Sequence, residues 1–206
     1  MTESSIPPAE APIHASVAAG DLARAAHLTF ERYGPEVLTF LRLRLRSQDN
    51  ADEVFAMFAE DLWSGISGFE FRCTMRCWVY ILARNAANRF AAAPQQQVQR
   101  RLPLSQHPSA LAYERATRTH TQAYRQTESK QRVRALRERL AHEDQLLLVL
   151  HIDRGLPFRE LALVMSEHET LAEDALVREA ARLRKRFERI KLELRAMAIE
   201  AGLLRR

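Results

Sequence analysis

Residues 76–90 read RCWVYILARNAANRF, and their interpretation decides the fold. Trp78, Val79, Ile81, Leu82, Ala83, Ala86, Ala87 and Phe90 follow helical spacing, so the stretch predicts an amphipathic helix. Its polar residues are Arg76, Tyr80, Arg84, Asn85, Asn88 and Arg89, with no acid among them. A helix that needed only solubility would carry Glu and Lys. A surface that meets nucleic acid must instead avoid carboxylates, and it uses Arg for phosphates, Asn for base edges and aromatic rings for stacking. The competing interpretation is internal: Trp78 as a core residue, Arg84 and Asn85 as internally hydrogen-bonded groups.

Working outward, Asp49–Trp63 (DNADEVFAMFAEDLW) predicts a second helix. Val54, Phe55, Phe58, Leu62 and Trp63 make its apolar face, and Asp49, Asp52, Glu53, Glu60 and Asp61 make the other side acidic. Residues 20–33 predict an earlier helix capped by Asp21, and Gly34–Pro35 predicts a break and restart. In the next run LRLRLR alternates like a strand, but Val37, Phe40, Leu41, Arg44 and Leu45 keep helical spacing, so helix is expected. Residues 64–75 read as a loop with two glycines. The first 19 residues, rich in Pro, Ala, Ser and Glu, read as a disordered tail rather than a signal peptide.

Residues 93–129 hold prolines and clustered glutamines and predict a linker. Beyond it, residues 131–140 and 143–154 predict two helices, Gly155 and Pro157 a turn, and Phe158–Met165 a short helix. Thr170 and Glu173 form a capping-box pattern ahead of one long helix from Leu171 to about Ala201. In that helix Leu176, Ala180, Leu183, Phe187, Ile190, Leu194 and Met197 repeat as a heptad-like seam. Arg178, Arg182, Lys185, Arg186 and Arg189 populate its basic side; a short helix, a turn and an Arg-rich helix is the pattern of a helix-turn-helix that enters a major groove. The fold class expected is all-α: two small helical domains, 20–92 and 130–206, joined by a flexible linker.

Composition narrows the function. Net charge is +5 and 28 of the 31 basic residues are Arg. Cutting after 25, 93 and 130 gives −2, 0, +4 and +3, so the positive charge sits in the second half. Two cysteines, Cys73 and Cys77, exclude a disulfide framework and suit a reducing cytoplasm; with no His or third Cys nearby, neither a metal site nor a cofactor is expected. No run is apolar and long enough to cross a bilayer, so no membrane insertion is expected. No Gly-rich phosphate loop and no Ser-His-Asp pattern nominates an enzyme.

Two motifs in order, the acidic Trp-ended helix followed by FEFRCTMRCWVYILARNAANRF, and LRERLAHEDQLLLVLHIDRGLPFRELALVM, resemble regions two and four of bacterial RNA polymerase sigma factors, best the small extracytoplasmic-function type. The resemblance covers about residues 20–92 and 130–195. It implies a non-enzymatic, cytoplasmic initiation subunit whose partners are core RNA polymerase (the largest subunit and its neighbour) and promoter DNA, and it allows for an anti-sigma factor. Asp52, Glu53, Phe58 and Trp63 would dock on polymerase. Phe71, Arg72, Arg76, Trp78, Tyr80, Arg84, Asn85, Asn88 and Arg89 would read and open the −10 element. Arg178, Arg182, Lys185, Arg186 and Arg189 would read the −35 element. The chain departs from the family at Ala56, Met75 and Asn88, and Glu173 and Asp174 make the expected recognition helix acidic at its start. The alternative is therefore a sigma-like adaptor that binds polymerase or a partner without reading promoters. A dimeric helix-turn-helix repressor using the 176–197 seam is a third expectation.

Overall fold

The structure is a computed structural model and describes residues 7–93, 128–166 and 171–204, with side chains in the second stretch from residue 132. Among the described residues it is all-helical, without strands. The chain divides into two compact units, Met1–His120 and Thr121–Arg206. Most of the expected linker, 94–127, lies outside the described residues.

The first unit begins earlier than the sequence suggests. A 3-10 turn, Pro8–Glu10, leads into α1, Ala11–Ala18, where a disordered tail is expected. Ile13 and Ser16 are buried, and so is Glu10, only 1% exposed. The composition is tail-like because this segment is held by a few long-range contacts that no local pattern announces.

The helix α2 spans Leu22–Leu45 without interruption, so the break expected at Gly34–Pro35 does not occur. Asp21 caps it by accepting from the Arg24 amide (3.1 Å). Pro35 removes one amide from the ladder, a cost of about 3 kcal/mol in a helix interior. On either side of it, however, Ala25, Ala26, Thr29, Tyr33, Gly34, Val37, Leu38, Phe40 and Leu41 are all buried. Each large apolar side chain contributes about 1.5–3 kcal/mol on burial, so packing of the two halves outweighs the local defect. LRLRLR is helical, as expected. Arg46, in the left-handed region at φ 54°, ends the helix.

The helix α3, Gln48–Gly65, is capped by Ser47, and α4, Met75–Ala92, by Thr74. Both pack on α2 and on each other. Phe30, Phe55 and Phe58 cluster at one end of this core, and Phe40 meets Tyr80 edge-on at 5.2 Å at another point.

In the second unit α5 is Glu128–Glu138, α6 is His142–Leu148 continued by a π-turn over Val149–Asp153, α7 is Phe158–Met165 and α8 is Glu173–Glu200. Gly155 takes φ +73° in the turn before α7, a conformation that favours glycine. Leu176, Leu183, Phe187, Ile190 and Met197 of the expected seam are buried, together with Leu136, Leu147, Leu150, Leu161 and Val164. The seam is thus spent on the unit's own core and is not a free dimerisation stripe. Thr170 of the expected capping box lies outside the described residues. Glu173 bonds Arg159 at the start of α7 instead (2.5 and 2.7 Å).

Candidate nucleic-acid and docking surfaces

The acid-free character of α4 has a structural cause. Its carboxylate partners arrive from other elements. Glu36 of α2 accepts from the Arg76 guanidinium (3.2 Å) and from the Tyr80 hydroxyl (3.4 Å). Asp61 of α3 pairs with Arg89. Arg44 of α2 donates to Asn88 (3.0 Å). Arg84, 1% exposed, donates to Asn85 Oδ1 through Nε (3.1 Å) and Nη2 (2.7 Å). An acid on α4 would be redundant where Glu36 and Asp61 already supply one.

This arrangement corrects the expected −10 set. Tyr80 and Arg84 are buried and cannot touch a strand without unfolding the unit. Asn85, Asn88 and Arg76 are half-buried and engaged within the bundle. Arg89 is half exposed beside Asp61. The accessible part is the loop before α4. Phe71 is 41% exposed, and Arg72 reaches into solvent beside Glu70 (2.7 Å, both largely exposed). Phe71 leads inward through a chain of rings: Phe69 at 4.8 Å and then Trp78 at 5.1 Å. Trp78 is half-buried, and a Cβ added to Gly65 would meet its ring at 3.6 Å, which joins the end of α3 to the first turns of α4.

The expected docking set also separates. Phe58 is fully buried in the core and is no surface anchor. Its periodic position on the apolar face was legible; its complete enclosure by Phe30 and Phe55 was not. Asp52 is partly exposed and lies 3.4 Å from Arg42, and Glu53 is half-buried. Trp63 is the reverse of what its place on the apolar face implies: it is 64% exposed, although the rest of that face is enclosed.

On α8, Arg178 pairs with Asp174 (2.7 Å) and Arg182 with Glu179 (2.8 Å); all four groups lie on one helix, and both arginines are largely exposed. Hydrogen bonding to Arg178 holds the Asp174 carboxyl below its usual range, and Arg159 does the same to Glu173. Exposed pairs of this kind are screened by water and contribute little to stability. Lys185 and Arg189 are exposed. Arg186 is not a surface contact. It reaches across to α6, bonding Asp144 (2.5 Å) and Glu143 (2.6 Å), with its side chain 20% exposed. Its bond to Glu143 lowers that carboxyl's pKa. It sat on the basic side in the sequence because helical spacing alone does not show that α6 runs past that point.

The residue most clearly missed is Glu10. Its carboxylate accepts from the Tyr33 hydroxyl (2.7 Å) and from the amides of Met75 (2.9 Å) and Arg76 (3.0 Å) at the start of α4. No signal in the sequence links positions so far apart. Among the described residues no His/Cys/Asp/Glu group could hold a metal, and no helix is long and apolar enough to cross a membrane. No protein-family model, curated protein or solved structure matches the chain.

Proposed function

We propose that this chain is a specificity subunit of the sigma type, which binds core RNA polymerase and directs it to promoters. The carrying observation is Trp63. The bundle encloses Val54, Phe55, Phe58 and Leu62 yet leaves this indole in water at the end of the acidic helix. Tryptophan is a preferred hot-spot residue at protein interfaces, and carboxylates beside it suit a basic partner. The loop that follows offers an exposed ring and an exposed guanidinium, Phe71 and Arg72, with Trp78 behind them, a set suited to an unpaired strand. Two helical units separated in the chain by residues 94–127 would let one part act near −10 and α8 near −35.

Few rings are available, and each base stacked on one returns about 1–3 kcal/mol. Opening several base pairs at a few kcal/mol each therefore requires binding energy from polymerase. The test is run-off transcription with purified core polymerase on genomic fragments. Promoter-dependent product that appears only with this chain supports the proposal; its absence on every template, together with no binding to core, refutes it.

A second reading, the adaptor that contacts polymerase or a partner without reading promoters, is favoured by one observation. The acids at the start of α8 already occupy Arg159 and Arg178, and Arg186 is spent on α6. Arg178→Ala with Arg182→Ala separates the two: reduced promoter output supports DNA reading, and unchanged output supports the adaptor.

A further inference from the structure

The segment Pro8–Ala18 lies ahead of every element given a role above, yet it sits on the loop and helix end to which a strand is assigned. The first amides of a helix have no partner inside it. In α4 they are all accounted for: Thr74 takes Cys77 N through its hydroxyl (3.0 Å) and Trp78 N through its carbonyl (3.0 Å), while Glu10 takes Met75 N and Arg76 N. A carboxylate at that end also meets the positive pole of the helix. Tyr33 completes the cradle; burial first, and then its bond to Glu10, push its hydroxyl well above the ordinary phenol range, so it stays protonated and donates. His14 follows one turn on, its Nε2 3.5 Å from Glu10 and its ring 4.6 Å from that of Phe71. Phe71 has φ +57°, a left-handed conformation that a bulky side chain adopts only when its surroundings impose it.

The attachment is narrow. At eight residues α1 is shorter than the roughly 12–15 that an isolated helix needs to persist in water. Its buried side chains are Ile13 and Ser16, and the Ser16 hydroxyl bonds back to Pro12 within the segment (3.0 Å). Ile13 and the Glu10 carboxylate are its most enclosed groups, with the His14 ring beside them against Phe69 and Phe71. That carboxylate occupies amides which, at a helix N-terminus beside Arg76, would equally suit a phosphate.

We propose that Pro8–Ala18 is an autoinhibitory clamp. Glu10 latches it to the first turn of α4, His14 packs on one side of the partly exposed Phe71, and the clamp lifts before the Phe69–Phe71 loop takes single-stranded DNA. The choice of ligand rests on the promoter-subunit reading; the latch itself does not. Two full-length variants test it by different routes: Glu10→Gln removes the charge, and Ile13→Ala removes the apolar anchor without touching it. Hydrogen exchange at Met75 and Arg76 should accelerate about tenfold or more in each, as a local opening. Affinity for a fluorescein-labelled single-stranded oligonucleotide of mixed sequence, read by anisotropy at low salt, should rise about fivefold or more. Exchange unchanged in both variants overturns the latch. Faster exchange with unchanged or weaker DNA binding overturns the inhibition and leaves the segment a mere support. Should Glu10→Gln unfold the unit, Ile13→Ala alone decides. Binding to core polymerase, measured in parallel, keeps the outcomes apart: its loss in wild type sinks the promoter-subunit reading and leaves the exchange result standing.

Discussion

Arg186→Ala should destabilise the second unit by about 2 kcal/mol, and the figure follows from where its partners lie. Breaking a buried ion pair by removing one partner costs about 3–5 kcal/mol. An exposed pair is worth up to about 1 kcal/mol. The Arg186 and Asp144 side chains are 20% and 16% exposed, whereas Glu143 is 71% exposed and adds little. The pair thus falls between the limits, and Asp144, left without its guanidinium at the half-buried start of α6, supplies most of the cost. For a unit of this size about 2 kcal/mol lowers Tm by about 8–16 °C. The assay can resolve the two units, because both tryptophans, Trp63 and Trp78, lie in the first. Fluorescence should be unmoved while the far-UV circular dichroism transition splits, its second-unit component falling. Lys185→Ala and Arg189→Ala, exposed on the same helix, should change stability by less than about 0.5 kcal/mol. A double-mutant cycle with Asp144→Ala should show coupling between the two positions. A Tm for Arg186→Ala within about 2 °C of wild type, on the same scale of a few degrees per kcal/mol, would refute the structural role and return Arg186 to the candidate DNA contacts.

Trp63→Ala should leave the first unit's stability within about 0.5 kcal/mol, since the ring is mostly in water, and should weaken binding to core polymerase tenfold or more, about 1.4 kcal/mol; equal affinity in a pull-down titration would remove the anchor from the proposal. Pro35→Ala restores an amide to the middle of α2 and should raise the first unit's unfolding free energy by about 1–3 kcal/mol, read from denaturant titrations by tryptophan fluorescence; a loss of stability would mean that the packing of α2 depends on the proline. The hydrogen bond from Arg186 holds the Glu143 carboxyl below the ordinary carboxylate range, so this small stabilising contribution is complete above that range and is lost as pH falls through the lowered folded-state pKa. In thermal melts between pH 7 and pH 3 the Arg186→Ala variant should show a shallower decline, and an identical slope would deny the linkage.

Much of the helical architecture was written locally. The 3.6-residue recurrence in 49–63 and 76–90 marked α3 and α4, and Phe158–Met165 appears as α7 with the same bounds. The 176–197 seam marked the buried stripe of α8. Periodicity says which side of a helix avoids water, and that much a linear string contains. It does not say what stands opposite the polar side. Whether Arg84, Arg186 and Asn88 face a strand of DNA or a neighbouring helix depends on contacts across 28 to 44 residues for Arg89, Arg186 and Asn88, and on enclosure for Arg84. The same holds for Pro35, whose local cost is overruled by burial on both sides, and for Glu10, which finds the α4 amides 65 and 66 residues away. Apart from α1 and the continuity of α2 through Pro35, the sequence by itself determined which segments are helical and which stripe of each is apolar, because those depend on neighbours a few residues apart. Only the tertiary structure decided which polar and aromatic groups are spent inside the bundles and which, like Trp63, Phe71 and Arg72, stay exposed, because burial is set by chain segments that meet only once the helices have packed.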